Sequence, residues 1–216
     1  MFTKLKQALK TAIQRAQPAP VDPAQFEDPV AVQTEWTPAA GGGANFRTQK
    51  LIEASPGRLE FRPTLGMKLF TAIFFLVGLG TFIAGAYALV IGFDGERTPA
   101  WFLIPFGLIF GAVGAGMHYV SSRPKVFDMD MLWYWKGKQP VDRAEVEQRK
   151  DAAPLDVVHA VQLIRELCRG DKSSYYSYEI NLVIHDATRI NVVDHGKLSA
   201  IRQDAQTLAI FIDVPV

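Results

Sequence analysis

The sequence is short of cysteine, histidine and net charge. Its single cysteine, Cys168, excludes a disulfide framework and a cysteine-rich zinc site. Lys and Arg number 23 against 22 Asp and Glu, a formal net charge of +1, so no global basic footprint marks a nucleic-acid binder. No G-x-S-x-G, P-loop, G-x-G-x-x-G or H-E-x-x-H pattern occurs, so none of those chemistries is announced. A hydrophobic share of 49% is too high for a disordered chain.

Charge is also missing locally, and that absence says most. No Asp, Glu, Lys or Arg stands in the 25 residues from Leu69 to Phe93, or in the 21 from Ala100 to Val120. A helix needs roughly 20 residues to cross a ~30 Å hydrocarbon core. The polar stretch Asp94–Pro99 between the runs predicts a turn, so the pair reads as a transmembrane hairpin, 69–93 and 100–120 within 67–120. The mean hydropathy of +0.07, ordinary for a soluble domain, averages two unlike populations. Eight cations flank the hairpin: Lys50, Arg58, Arg62 and Lys68 before it, Arg123, Lys125, Lys136 and Lys138 after it. The turn holds only Arg97. The positive-inside rule then puts both termini in the cytoplasm, where a lone cysteine stays reduced.

Residues 1–16 carry Lys4, Lys6, Lys10 and Arg15, with Phe2, Leu5, Leu9, Ile13 and Ala16 at spacings of three and four. This reads as a basic amphipathic helix rather than a signal peptide, with Phe2, Leu5, Leu9, Lys6 and Lys10 as contacts to a membrane surface or a partner. Residues 17–45 read as a solvated linker. Five prolines interrupt it, Gly41–Gly43 loosen it, and Phe26 and Trp36 stand in it as isolated aromatics, part of the solvated linker or else a short docking motif.

Gly78, Gly85 and Gly92, with Thr81 and Ala88 between them, form a small-residue stripe on the first span. Gly107, Gly111 and Gly114 form one on the second. In lipid, helices associate largely through close backbone approach at such residues. The stripes face each other, with Gly107 near Gly85 and Gly114 near Gly78, or else serve a homo-oligomer or another membrane protein. His118 lies one turn beyond Gly114 near the cytoplasmic end. An ionisable group in a span is a functional candidate: a haem ligand or proton carrier, or an interfacial imidazole bonded to lipid or to a hydroxyl such as that of Thr71.

Outside the spans the period changes. Gln49–Ala54 and Arg58–Arg62 read as two strands around a Ser55-Pro56-Gly57 turn, within segment 46–66. In 121–216, Lys125–Lys136 is β-branched and aromatic. Leu155–Leu167 suits a strand better than a helix, and 175–193 reads as a β-hairpin turning at Asp186-Ala187-Thr188. Leu198, Ile201, Ala205, Leu208 and Ile212 share one face of a final helix, 197–212, with Asp194 and Gly196 as start signals. The expected fold class is an α+β membrane protein. Its two-helix transmembrane hairpin is inserted in a cytoplasmic antiparallel β-sheet domain: two strands from before the spans join about five from after, capped by the C-terminal α-helix.

Short antiparallel strands closed by one amphipathic helix, over 48–63 and 125–213, resemble a pleckstrin-homology-like fold. A hairpin beside it resembles uncharacterised bacterial inner-membrane proteins. The resemblance implies a binding or scaffolding module and supplies no site residues. No concentrated Lys/Arg loop of the phosphoinositide-binding kind is visible. His185-Asp186 and Asp194-His195 lie at opposite ends of one strand, roughly 25 Å apart at ~3.3 Å per residue, too far to share a metal. Asp186 as a turn former and Asp194 as a helix cap explain them better. Cys168 beside Arg169 is a candidate for a lowered pKa or simply a strand-end residue. In Trp133-Tyr134-Trp135 the two tryptophans belong to the core, leaving Tyr134 outside as a membrane or partner contact. Residues 142–151 look like a solvated connection. No cofactor or metal is expected. The expected function is a non-enzymatic bacterial inner-membrane protein whose cytoplasmic domain scaffolds other proteins. The alternatives are a lipid-sensing module and, remotely, a haem or redox subunit using His118.

Overall fold

The structure, a computed structural model, describes residues 21–91, 100–146, 148–170 and 173–216. The expected N-terminal helix with Phe2, Leu5, Lys6, Leu9 and Lys10, together with Gly92 and the Asp94–Pro99 turn, lies outside them.

Two short turns open the described chain. Asp22 caps a 3-10 turn at Pro23–Phe26, and Asp28 caps α1 (Pro29–Gln33). Each carboxylate accepts an N–H two residues on, and each turn starts with a proline, which has no N–H to leave unsatisfied. Strand β1 (Gln49–Ser55) turns through Gly57, whose φ of +75° is the left-handed conformation the turn requires, into β2 (Arg58–Pro63). Thr64 accepts the N–H of Met67 and starts α2 (Leu65–Ile91). Helix α3 (Ala100–Ser121) returns, and β3 (Lys125–Asp128) pairs antiparallel with β2, Phe61 opposite Lys125 and Arg58 opposite Asp128. Then come β4 (Trp133–Lys136), α4 (Arg143–Val146), β5 (Ala152–Pro154), β6 (Val158–Arg169), β7 (Ser174–Ile184), β8 (Arg189–His195) and α5 (Leu198–Phe211).

The fold is thus mixed α and β with antiparallel sheets, and α2 and α3 are long and apolar enough to cross a membrane. Ile73, Leu76 and Ile83 on α2 and Ile109 on α3 all point into open space. The strands form two sheets, β1-β2-β3-β4-β5 and β6-β7-β8, and the two strands that precede the helix pair join three that follow it in the first. Their inner faces and α5 enclose the main core, in which Phe61, Phe127, Ile180, Leu182, Ile201 and Leu208 are fully buried. Helix α5 runs close to its expected limits, but Asp194 does not cap it. Asp194 pairs with Glu179 inside the sheet, and the N-cap position falls to Lys197, whose N–H donates to Nδ1 of His195.

Lys125–Lys136 forms two strands, since the chain reverses between Asp128 and Trp133 with Leu132 at a φ of +59°. Strand β4 then runs between β3 and β5 with both faces covered, which corrects the expectation for Tyr134. It is 0% exposed, its ring tilted on Phe127 in the main core. Trp135 points the other way into a second cluster with Val126, Val141, Val146 and Ala152, and Arg58 lies over its ring. Residues 142–151 are therefore no purely solvated connection, because Val146 plugs that cluster beside Val141, which precedes the stretch.

Candidate functional site

Helices α2 and α3 approach most closely at their glycines. A Cβ added to Gly78 would lie 2.6 Å from Cα of Gly111 and 2.8 Å from the carbonyl oxygen of Gly107. One on Gly107 would lie 2.7 Å from the carbonyl oxygen of Gly78, one on Gly114 2.8 Å from Cα of Phe75, and one on Gly85 2.9 Å from Cγ1 of Ile104. Real Cβ atoms do not sit that close, so backbone rests on backbone at Gly78, Gly107 and Gly114, while Gly85 makes room for the Ile104 side chain. The register differs from the one expected. Gly78 opposes Gly111 rather than Gly114, and Gly107 meets Phe82 and Gly78 rather than Gly85. The shift lets Gly114 receive the Phe74–Phe75 backbone instead of another glycine. Gly111 itself has room, its nearest atom 4.0 Å from an added Cβ. Thr81 turns its hydroxyl to the Val77 carbonyl of its own helix. At the foot of the pair, buried Thr71 donates to the Lys68 carbonyl at 3.0 Å and stands 3.5 Å from Nδ1 of His118, at the outer limit of a hydrogen bond.

Residues 34–45, expected as part of a solvated linker, run with Phe46 as a strap bound across the outer face of β6-β7-β8. Alternation along β7 puts Ser177, Glu179 and Asn181 on that face, and all three are buried beneath the strap. The Glu179 carboxylate accepts the N–H groups of Ala39 at 2.7 Å and Ala40 at 3.1 Å, and the amide of Asn181 at 2.7 Å. Glu166 accepts the Gly42 N–H, and Tyr175 donates to the Gly43 carbonyl. Gln162 donates to the Glu35 carbonyl, while Arg189 bonds the Thr37 carbonyl and the Glu35 carboxylate. Gly43 passes so close that a Cβ there would lie 2.9 Å from Cβ of Ser177. Upstream, Nε2 of His159 lies 2.7 Å from Asp28, and the rings of Phe26 and Trp36 stack 4.9 Å apart, so neither aromatic is isolated. An apolar groove of about 360 Å³ lies between this stack, His159, Leu163 and the terminal Val216.

A second cavity, about 260 Å³, opens where the two sheets meet at the foot of α3. Val120 forms one wall. Arg123, Lys125 and Lys136 supply three cations, and Asn191 and Asp194 of β8 close the far side. Lys125 and Lys136 are direct cross-strand partners. Among the described residues no carboxylate comes within 4.0 Å of either ammonium; Lys125 donates instead to the side-chain oxygen of Gln49 at 2.5 Å. Burial, with Lys136 beside it, brings the Lys125 ammonium down to about 7, and burial also lowers Lys136. Burial, with Glu179 nearby, raises Asp194 to about 6, against the amide of Asn191 donating to it at 3.1 Å. None of this was visible in the sequence. The three cations entered only as markers of orientation, and the residues that complete the cavity lie some 70 positions away along the chain in each direction from Lys125.

The remaining candidates separate. His185-Asp186 and Asp194-His195 lie at opposite ends of the β7–β8 hairpin, and among the described residues no group of three or more His, Cys, Asp and Glu could hold a metal. Asp186 accepts the N–H and hydroxyl of Thr188 at the turn. His195 is fully buried and held neutral, its value lowered to about 4 by burial and by Arg47. Cys168 is buried beneath the strap. Burial and Glu166 raise its thiol, the reverse of the lowering entertained from Arg169. Compared with known protein families, curated proteins and solved structures, the chain matches none.

Proposed function

We propose that this chain is a membrane-embedded, non-enzymatic assembly module. Helices α2 and α3 cross a bacterial inner membrane side by side, with both chain ends in the cytoplasm. The α+β domain at their feet holds other membrane or cytoplasmic proteins in place. One observation carries the reading. The strands that lead into and out of the helix pair, β2 and β3, are hydrogen-bonded to each other, while the helices keep their large apolar side chains outward. A domain built this way is fastened to both helix ends at once, so whatever it binds is held at a fixed distance from the bilayer. Flanking cations support the orientation. The order of short antiparallel strands and a closing helix supports the pleckstrin-homology-like reading of the domain.

The test has two parts. In intact cells, cysteines introduced as Asp130→Cys and Lys138→Cys should react with an impermeant maleimide only after permeabilisation, while Glu96→Cys reacts from outside. Labelling of all three from outside would overturn the orientation. Photo-cross-linkers placed at Ile83, Ile109 and Glu53 should then give discrete protein adducts at fixed mass. Adducts to lipid alone would count against assembly.

A further inference from the structure

We propose that the cavity at the foot of α3, between Arg123, Lys125, Lys136 and Asn191, binds a phosphate group, as carried by an anionic phospholipid headgroup or by a soluble phosphate ester. The geometry is otherwise hard to account for. Like charges directly opposite each other on neighbouring strands repel, yet Lys125 faces Lys136 with Arg123 beside them. Among the described residues no carboxylate comes within 4.0 Å of any of the three, and Asp151 and Asp194 act on them only from farther off. Elsewhere buried carboxylates have close partners: Glu60 lies between Arg58 and Arg62, Asp204 meets Arg47, and Glu179 accepts amide N–H groups, whereas half-buried Lys125 and Lys136 have no close carboxylate. An anion in the cavity would supply the missing partner. Two ammoniums and a guanidinium offer several N–H donors of the kind that bind phosphate oxygens, and about 260 Å³ admits a phosphate with a small attached group.

Among the described residues Asp194 is the one carboxylate in the lining, and it opposes the anion while ionised. Its raised value, about 6, means that modest acidification removes its charge, and an anion between the lysines returns protons to Lys125. Lys125 is faced by Lys136 from β4, Asp194 from β8 and Gln49 from β1. Lys136 also senses Arg123 and Asp151, and Asp194 senses Glu179. Binding therefore takes up protons and strengthens as pH falls from about 8 to about 6. The phosphate chemistry stands on the cavity alone. The lipid source rests on the membrane reading, because only a helix pair in a bilayer puts Val120 and this opening beside headgroups.

The experiment uses the full chain, in a neutral detergent and in nanodiscs of phosphatidylcholine with or without phosphatidylglycerol. Native mass spectrometry reads retained lipid, and calorimetry with inorganic phosphate and glycerol 3-phosphate reads soluble ligands. Wild type should retain phosphatidylglycerol or bind a soluble phosphate. Lys125→Met and Lys136→Met should weaken that binding about tenfold each, whereas Lys138→Gln, outside the cavity, leaves it unchanged. Retained lipid without soluble binding assigns the headgroup; soluble binding in phosphatidylcholine discs assigns a free ester. Thermal unfolding of both Met variants, expected at or above the wild-type midpoint because a repulsion is removed, separates lost binding from lost folding. If every probe binds wild type and the Met variants equally, or binds none of them, the proposal is overturned. The soluble arm in detergent needs no bilayer, so a failed orientation test leaves it standing.

Discussion

In two places one stretch of this chain lies directly on another, by opposite means. Helices α2 and α3 touch through Gly78, Gly107 and Gly114, where the absence of side chains lets the backbones meet. The strap over β6-β7-β8 is gripped by side chains: carboxylates of Glu166 and Glu179 on its N–H groups, Arg189, Gln162 and Tyr175 on its carbonyls. Each suits its surroundings. A helix has already satisfied its own backbone, so two helices need only fit. A strap outside any ladder has free N–H and C=O groups, and burying them unpaired costs about 1–3 kcal/mol each. The hairpin therefore tolerates changes of outward side chain and no added carbon at Gly78, Gly107 or Gly114. The strap tolerates changes in its own residues and not the loss of the polar groups beneath it.

The largest effect that could break this contrast is at the seam. Gly114→Leu or Gly78→Leu should destabilise the helix pair by about 3 kcal/mol or more, since overpacked backbone cannot yield. Thermal unfolding in detergent reads it. Gly80→Leu and Gly116→Leu, where an added carbon meets nothing within 4 Å, should leave the midpoint unchanged. Gly111→Ala should be nearly silent, which distinguishes the observed register from one centred on Gly111. Next in size, Glu179→Ala should cost about 2–3 kcal/mol and speed hydrogen exchange at Ala39 and Ala40. If exchange there stayed slow, close fit at Gly43 and not hydrogen bonding would be holding the strap.

Smaller effects lie in pH. Lys125 is lowered from 10.5 to about 7 in the fold, so between these values the unfolded chain holds more protons. Stability should rise as pH climbs through that window, and Lys125→Met should flatten the rise in urea titrations. Below neutrality two neighbours oppose each other. His195, at about 4 against 6.5, loses stability on acidification between those values, while Asp194, at about 6 against 3.8, gains it. The wild-type profile should be shallow there, and His195→Gln should expose stability that increases as pH falls from about 6 toward 4. The smallest effect is Phe26→Ala, which removes a half-exposed stacked pair and should cost about 1 kcal/mol.

Much of the architecture was legible because it is local. Uncharged runs show two long apolar helices whatever surrounds them. The Ser55-Pro56-Gly57 and Asp186-Ala187-Thr188 turns carry their own conformational requirements, and α5 shows its face in a period of three and four. Legibility failed where a residue's surroundings come from far away. Tyr134 alternates with the tryptophans as expected, but only the sheet order shows that both faces of β4 are covered. Phe26 and Trp36 look isolated in a proline-rich stretch, because the face that orders that stretch is more than 120 residues later, at Gln162 and Glu166. Polar alternation in β7 reads as a solvent face, since a pattern of polar residues cannot distinguish water from a strap.

By itself, then, the sequence determined which segments are apolar helices, where strands turn and which residues are small enough for backbones to meet. These properties depend on neighbours within one turn or one hairpin. Tertiary structure alone decided the register of the glycine seam, the burial of Tyr134, the binding of residues 34–46 and the assembly of Arg123, Lys125, Lys136, Asn191 and Asp194 around one cavity. Each depends on segments that the chain's path, and not its order, brings within a few ångströms.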